Sequence, residues 1–382
     1  MINSEMTFDY SEVMQKLSEP LRKKVEHSID ILRKAERLAL AYDEENGYYL
    51  AFSGGKDSQC LYHVAKLAGV KLKAHMSLTS VDPPEVIRFV KREYPDVELI
   101  KPKKSIFQCA IEKQILPTMR VRWCCREYKE GAGAGKVTLI GIRHAESTRR
   151  SKRNEVEIGA KTKSRRYSGN LDGLDDFRKE KSKEKRGRKP AGYKEVNIIN
   201  ADGERVLGCI RGRETLLVSP IIEWSDEEVW EFLGVLGVKH CELYDEGWKR
   251  IGCICCPMSS PKHHKVEEKR WPHVKRNWIK AIKAIRNGGG YSKENLYGGT
   301  SGRTADCGVR VPTQQQGAFY QRQDNATLSF SASHGFSDSS SSDRLTEEQE
   351  NEIAENIYDW WTSQKSYDKW YAGKFLQKEL KF

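Results

Sequence analysis

Long apolar runs are missing from this chain: the most extended, at residues 48–52 and 137–142, fall far short of the roughly 20 residues that a membrane-spanning helix needs. No membrane span is expected. The N-terminal Met-Ile-Asn-Ser-Glu-Met lacks a basic stretch leading into an apolar one, so no secretory signal is read there and the cytoplasm is the expected location. An internal repeat is also lacking, which sets aside stacked-repeat architectures. What the chain does have is length and polarity. Its 382 residues allow two to three domains or one core with long appendages, and 38% hydrophobic against 31% charged residues fit a globular protein with polar insertions.

Basic residues outnumber acidic ones by 66 to 54, and the excess is concentrated. Residues 149–189 hold 16 basic and 7 acidic side chains, nine of the twelve net positive charges. Such a strip suits a polyanionic partner such as DNA or another nucleic acid, or else serves only as a solvated, mobile loop. Ten cysteines in a cytoplasmic chain point to metal ligands or reactive thiols in preference to disulfides. Cys60, Cys109, Cys209 and Cys241 stand alone and are read as core residues.

Apolar spacing organises the rest. Residues 1–45 carry Val13, Leu17, Leu21, Val25, Ile29 and Leu32 at helical intervals and form an N-terminal helical segment. From 46 to 148, short strands at 48–52, 70–78, 97–100 and 136–142 alternate with helices, one of them opening at Pro84. This alternation predicts an α/β fold with a doubly wound, mostly parallel, five-stranded sheet and helices on both faces. Residues 149–200 interrupt it as a basic insertion, and 201–286 resume the core, with a strand over 216–222 and a helix opened by the capping box Ser225-Asp226-Glu227-Glu228. A polar, low-complexity segment follows at 287–344, with eight serines between Ser329 and Ser342. Over 345–382 a final helix, capped by Thr346 and Gln349, carries Ile353, Ile357, Trp360 and Trp361 and is expected to dock on the core.

Two patterns carry chemistry. Ser53-Gly54-Gly55-Lys56-Asp57-Ser58 lies between a predicted strand and a predicted helix, where backbone N–H groups and a helix dipole meet an anion. Glycines let the backbone approach a phosphate, Lys56 adds positive charge, the serines add hydroxyls, and Asp57 offers a carboxylate to Mg2+. The spacing is not that of a Walker loop. The second pattern is Cys124-Cys125 with, 128 positions later, Cys253-x-x-Cys256-Pro257. Four thiolates brought together would suit a 4Fe-4S cluster or a tetrahedral zinc, and spacing does not separate the two. Cys255 is surplus and could displace a neighbour. His263 or His264 could complete a zinc site, though both are read as solvated surface residues.

The hexapeptide resembles the loop of the ATP pyrophosphatase superfamily, whose members cleave ATP between its α and β phosphates and adenylate an acceptor. The resemblance implies that Ser53, Gly54, Gly55, Lys56, Asp57 and Ser58 cradle the phosphates, with Lys56 and Asp57 serving catalysis through charge neutralisation and metal binding. The cysteine pattern is similar to that of the iron–sulfur branch of the phosphoadenosine phosphosulfate (PAPS) and adenosine phosphosulfate (APS) reductase family. That likeness selects Cys124, Cys125, Cys253 and Cys256 as ligands. It extends to Arg122-Trp123-Cys124-Cys125 with Lys129, to the segment from Gly141 through Arg143 to Ser147, and to Asp245-Glu246-Gly247. By it, Arg122 and Arg143 contact anions, Arg143 with a catalytic share.

Reductases of that family carry a nucleophilic cysteine in a C-terminal Glu-Cys-Gly-x-His segment. Here only Cys307, between Asp306 and Gly308 and without the histidine, stands in such a place. The full Lys56-Asp57 pair instead suits ATP cleavage at the α phosphate, where charge builds on departing pyrophosphate. In this the chain resembles the ATP pyrophosphatase of bacterial DNA phosphorothioation systems, which implies ATP, Mg2+ and a cluster as cofactors, a nucleic-acid acceptor held by residues 149–189, and a sulfur-donor protein such as a cysteine desulfurase. A sulfonucleotide reductase using PAPS or APS and Cys307, and a nucleotide and nucleic-acid sensor without turnover, are the rival readings.

Overall fold

The computed structural model describes residues 9–159, 166–183, 193–199, 205–211, 215–287, 309–310, 345–365 and 370. Along the chain the first elements are α1 (Tyr10–Lys16), α2 (Glu19–Tyr42), β1 (Tyr48–Ala51), α3 (Lys56–Ala68), β2 (Leu72–Ser77), α4 (Pro84–Glu93) and β3 (Glu98–Ile100). Then come α5 (Ile106–Lys113), β4 (Ile115–Leu116), α6 (Trp123–Tyr128), β5 (Val137–Leu139), β6 (Val156–Gly159), β7 (Tyr167–Gly169), α7 (Leu171–Lys183), β8 (Tyr193–Ile199) and β9 (Arg205–Arg211). The last are β10 (Thr215–Val218), α8 (Asp226–Val235), α9 (Pro261–Arg270), α10 (Pro272–Arg286), β11 (Val309–Arg310) and α11 (Glu347–Ser363). None of the helices among the described residues is long and apolar enough to cross a membrane.

These elements form two compact units, each assembled from separate stretches of chain. The first takes residues 1–78, 83–101 and 128–252. Its sheet runs in the order β3-β2-β1-β5-β10-β6-β7. The five strands from β3 to β10 are mutually parallel, while β6 and β7 join antiparallel. Tyr48, Tyr49 and Leu50 of β1 and all of β5 are buried, the continuous burial of a parallel sheet covered on both faces. The stripe of Leu21, Val25, Ile29, Leu32 and Leu38 buries α2, which packs on α3, β1 and β5.

The expected α/β class and mostly parallel sheet are present, but with seven strands where five are read from the sequence. The extra pair comes from residues 149–200, which the charge pattern presents as an insertion. Val156 and Ile158 alternate inward along β6 and lie opposite Val218 and Leu216 of β10. Four residues with two apolar side chains are enough to extend a sheet edge, and flanking arginines hide them in the sequence.

The second unit takes residues 79–82, 102–127 and 253–382. Within it α10 packs on α5 and α11. Phe107 meets Trp278 edge to face with centroids 4.9 Å apart, Trp278 meets Trp361 at 4.9 Å, and the Trp361 indole N–H donates to the Pro117 carbonyl at 2.7 Å. The expected caps are formed: Ser225 and Glu228 open α8, and Thr346 and Gln349 open α11, each as a reciprocal capping box.

Candidate functional site

In the first unit the chain leaves β1 for β2 and β3 on one side and places β5 and β10 on the other, so β1 and β5 flank the point where strand order reverses. Loops beyond the carboxyl ends of parallel strands at such a point form the usual ligand crevice of open α/β sheets. The loop after β1 is Ser53 to Ser58. Gly54 bends it with φ +73°, and a Cβ there would lie 2.7 Å from Val86 Cγ1 and 2.9 Å from Val90 Cγ2 of α4. Only glycine meets both demands. Ser58 Oγ accepts from the Ser53 amide at 3.2 Å and donates to the Gly55 carbonyl at 2.8 Å, closing the loop on itself. The Lys56 amide donates to the Tyr244 hydroxyl at 2.8 Å. The next amides, of Asp57 and Ser58, open the first turn of α3, where no helical carbonyl precedes them and the helix dipole is positive.

Loops after the next two parallel strands bring the remaining charges. Arg143 follows β5 and is almost wholly buried, with 1% of its surface exposed. Its Nε donates to Asp57 Oδ1 at 2.7 Å, its Nη1 to the Trp224 carbonyl at 3.1 Å, and its Nη2 to Asp226 Oδ1. Lys56 Nζ, also buried, reaches Asp57 Oδ1 at 3.3 Å and Asp226 Oδ1 at 3.0 Å. Two cations and two carboxylates therefore share one knot. Burial opposes the charge on Arg143, yet Asp57 and Asp226 more than offset it and raise its pKa. Burial likewise pushes the Asp226 carboxyl up, and hydrogen bonds from Arg143 and Lys56 outweigh it to leave the group below the usual carboxylate range. Gly141 allows the close approach of these loops, since a Cβ on it would lie 2.9 Å from the Asp57 carbonyl oxygen.

The four predicted ligand cysteines all belong to the second unit. Cys124 has its thiol pKa raised by a hydrogen bond with Cys125, by burial, and by the charges of Cys125, Cys256 and Cys253. Arg122, predicted as an anion contact, donates from Nη2 to Cys125 Sγ at 3.0 Å. Cys253 Sγ lies 3.4 Å from the buried Thr79 hydroxyl. Cysteine sulfurs are the soft donors that iron–sulfur groups take. Among the described residues, no group of three or more His, Cys, Asp or Glu side chains is arranged to hold a metal ion.

The second unit also holds a buried network that the sequence does not announce. Cys255 adopts φ +56°, its amide donates to Glu267 Oε2 at 2.9 Å, and its sulfur is 3.2 Å from the Tyr358 hydroxyl. Burial pushes the Cys255 thiol up to about 12 and the Glu267 carboxyl up to about 7, the latter partly countered by the Cys255 amide. His264, expected on the surface, is instead buried, with Nε2 2.8 Å from the Cys256 carbonyl and Nδ1 3.2 Å from that of Thr362. The correction follows from α11, which covers the face of α9 that carries His264. His263 is half-buried, its Nε2 3.4 Å from Glu267.

The structure thus brings Ser53, Gly54, Gly55, Lys56, Asp57, Ser58 and Arg143 together in one unit, and Arg122 with Cys124, Cys125, Cys253 and Cys256 in the other. Cys307 lies outside the described residues. Cys60 and Cys241 are buried as expected, and Cys109 is half-buried. In the described part of the basic strip, Arg150 pairs with Glu146 and Arg153 with Glu157, so these two arginines are already compensated. Asp226 and Tyr244 are missed by sequence reasoning. Asp226 is legible only as a first-turn helix acid, and nothing marks Tyr244 as a partner of residue 56.

A glycine-bent loop at the switch point of a mostly parallel sheet, with helices packed against it, defines an α/β protein of the doubly wound kind. The particular family is shown by residues 47–259, which match the phosphoadenosine phosphosulfate reductase domain, and the chain belongs to that family. It is 25% identical over 301 residues to an uncharacterized protein of Methanocaldococcus jannaschii, covering 78% of this chain and 61% of that protein. A second uncharacterized protein of the same organism is 21% identical over 265 residues, covering 65% and 45%. The chain therefore spans about three fifths or less of the length of these relatives. An adenosine 5'-phosphosulfate reductase of Staphylococcus epidermidis is 36% identical over 61 residues, 16% of this chain and 22% of that one. Among solved structures, Candida glabrata FMN adenylyltransferase in complex with FAD and inorganic pyrophosphate matches at 14% identity and TM-score 0.36, covering 64% and 68%. The phosphoadenylyl-sulfate reductase of Candida auris matches at 14% identity and TM-score 0.29, covering 62% and 96%.

Proposed function

We propose that this protein is an ATP pyrophosphatase of sulfur transfer that binds ATP with Mg2+ at the loop from Ser53 to Ser58 and adenylates an oxyanion acceptor. An acceptor oxygen bonds to the α phosphorus while the bond to the β phosphate breaks, and pyrophosphate leaves with the electron pair. The amides at the start of α3 and the side chains of Lys56 and Arg143 receive the charge that builds on the departing group. Asp57, tied to both cations, would hold Mg2+ against the phosphates. One observation carries this reading: three adjacent parallel strands, β1, β5 and β10, send the residues of a single ionic knot to the sheet's switch point.

Cys124, Cys125, Cys253 and Cys256 would hold a 4Fe-4S cluster, a group that supplies one-electron capacity or a structural tie when bound. The excess of 16 basic over 7 acidic residues across 149–189 supports a nucleic-acid acceptor, as in DNA phosphorothioation, with sulfur brought by a donor protein such as a cysteine desulfurase. The test is pyrophosphate release from ATP by anaerobically purified protein, with DNA, tRNA or sulfate added in turn. Strong stimulation by one acceptor, lost in Lys56→Ala, supports the reading. Release without dependence on any acceptor argues against it, and ATP binding without release identifies a sensor.

Membership of the phosphoadenosine phosphosulfate reductase domain family favours a second reading, sulfonucleotide reduction through Cys307. Its signature is sulfite release from PAPS or APS with thioredoxin, abolished by Cys307→Ser.

A further inference from the structure

Asp226 belongs to neither chemical pattern of the sequence, yet one of its oxygens lies between Lys56 and Arg143. Oδ1 accepts from Lys56 Nζ at 3.0 Å and also from Arg143 Nη2. A single anionic oxygen bridging a lysine and an arginine has the ligation that a phosphate oxygen seeks. The two carboxylates of the knot differ in how they are held. Asp57 has 23% of its side-chain surface exposed and is fixed by Arg143 Nε at 2.7 Å, whereas Asp226 has 61% exposed and opens onto solvent. Its departure would not unravel α8. The N-terminal cap there is made by Ser225 and Glu228, and Asp226 takes no part in that reciprocal pair.

Electrostatics requires that something give way. Lys56 and Arg143 carry two positive charges and Asp57 and Asp226 two negative ones, so the knot is neutral while Asp226 stays. A polyphosphate entering it would meet both carboxylates at short range in a partly buried setting. Arg143 keeps its place in either state, because Asp57 and the Trp224 carbonyl hold two of its three donor positions.

We infer that Asp226 is a displaceable stand-in for a nucleotide phosphate: its carboxylate occupies the anion subsite between Lys56 and Arg143 and swings out to solvent when a phosphate enters. This rests on the proposed binding of a nucleotide tail at the loop, and it adds an affinity-setting residue to it. Asp226 keeps the two cations ordered between turnovers and weakens product pyrophosphate enough for it to leave.

The test uses inorganic pyrophosphate as the probe, titrated calorimetrically into the full-length protein in chelator, so that neither turnover nor Mg2+ enters the result. Asp226→Asn is expected to bind pyrophosphate about tenfold tighter than the unaltered protein, because the competing charge-assisted bonds are weakened. Asp226→Ser is expected to do the same, and serves if the asparagine variant folds poorly. Equal or weaker binding in both variants, or no binding by any of the three proteins, would overturn the inference. A role confined to holding the start of α8 in place predicts no tightening in either variant. Absence of pyrophosphate release from ATP with every acceptor would remove the proposed activity while leaving this comparison to stand or fall by itself.

Discussion

Gly141 and Asp57 touch across two loops of the sheet: the space where a Gly141 side chain would begin lies 2.9 Å from the Asp57 carbonyl oxygen and 3.1 Å from its carbonyl carbon. The contact is with backbone at the opening of α3, which cannot rotate away as a side chain would. Gly141→Ala should therefore push the start of α3 out of place. We expect a loss of roughly 1–3 kcal/mol in denaturant unfolding together with weakened ATP binding. Unchanged stability and affinity would show that the two loops are not locked together.

Arg143 supplies the second prediction. Its guanidinium is buried against two carboxylates and a carbonyl, so Arg143→Ala should cost on the order of 3 kcal/mol and abolish pyrophosphate release. Arg143→Lys should restore little of the activity, because a single ammonium cannot satisfy Asp57, Asp226 and the Trp224 carbonyl from three directions. Recovery by lysine to near the original rate would reduce Arg143 to a simple positive charge.

Glu267 predicts a pH dependence. Burial raises its carboxyl from the ordinary 4.5 to about 7, while the Cys255 amide, His263 and Glu268 face it. Between these two values the folded protein binds the proton that the unfolded chain has released, so stability is greatest at the acid end of the window and declines as pH rises through about 7. Urea unfolding of the full chain should show this decline, of order 2 kcal/mol, and Glu267→Gln should flatten it while keeping an acceptor for the Cys255 amide. An identical slope in the glutamine variant would place its origin elsewhere.

The proposed cluster would separate the cysteines by role. Cys124→Ser and Cys253→Ser should each lose iron and acid-labile sulfide after anaerobic purification. Cys255→Ser should retain both, since Cys255 is buried against Tyr358 and its amide is held by Glu267. Stoichiometric zinc in colourless protein would rule the cluster out.

How much of this was legible beforehand depends on locality. The strand, glycine bend and helix around Lys56 are contiguous, and their chemistry is readable because a loop needs glycines and a cation within a few positions. Arg143 is legible through its likeness to a family segment. Asp226 is not legible, because its partnership with Lys56 spans 170 positions and arises only when β1, β5 and β10 align. His264 is hidden for a related reason: a histidine amid lysines and glutamates reads as solvated until α11 covers it. Strand β6, paired with β10 on one side and β7 on the other, is hidden in the sequence by the arginines near its two inward residues.

The most direct measurement of the central claim is the fate of label from γ-labelled ATP incubated with anaerobically purified protein, Mg2+ and each candidate acceptor. Cleavage between the α and β phosphates predicts that the label appears in pyrophosphate, at a rate abolished by Asp57→Ala. Label appearing as orthophosphate, or pyrophosphate formed equally well by the Asp57→Ala protein, would contradict the account.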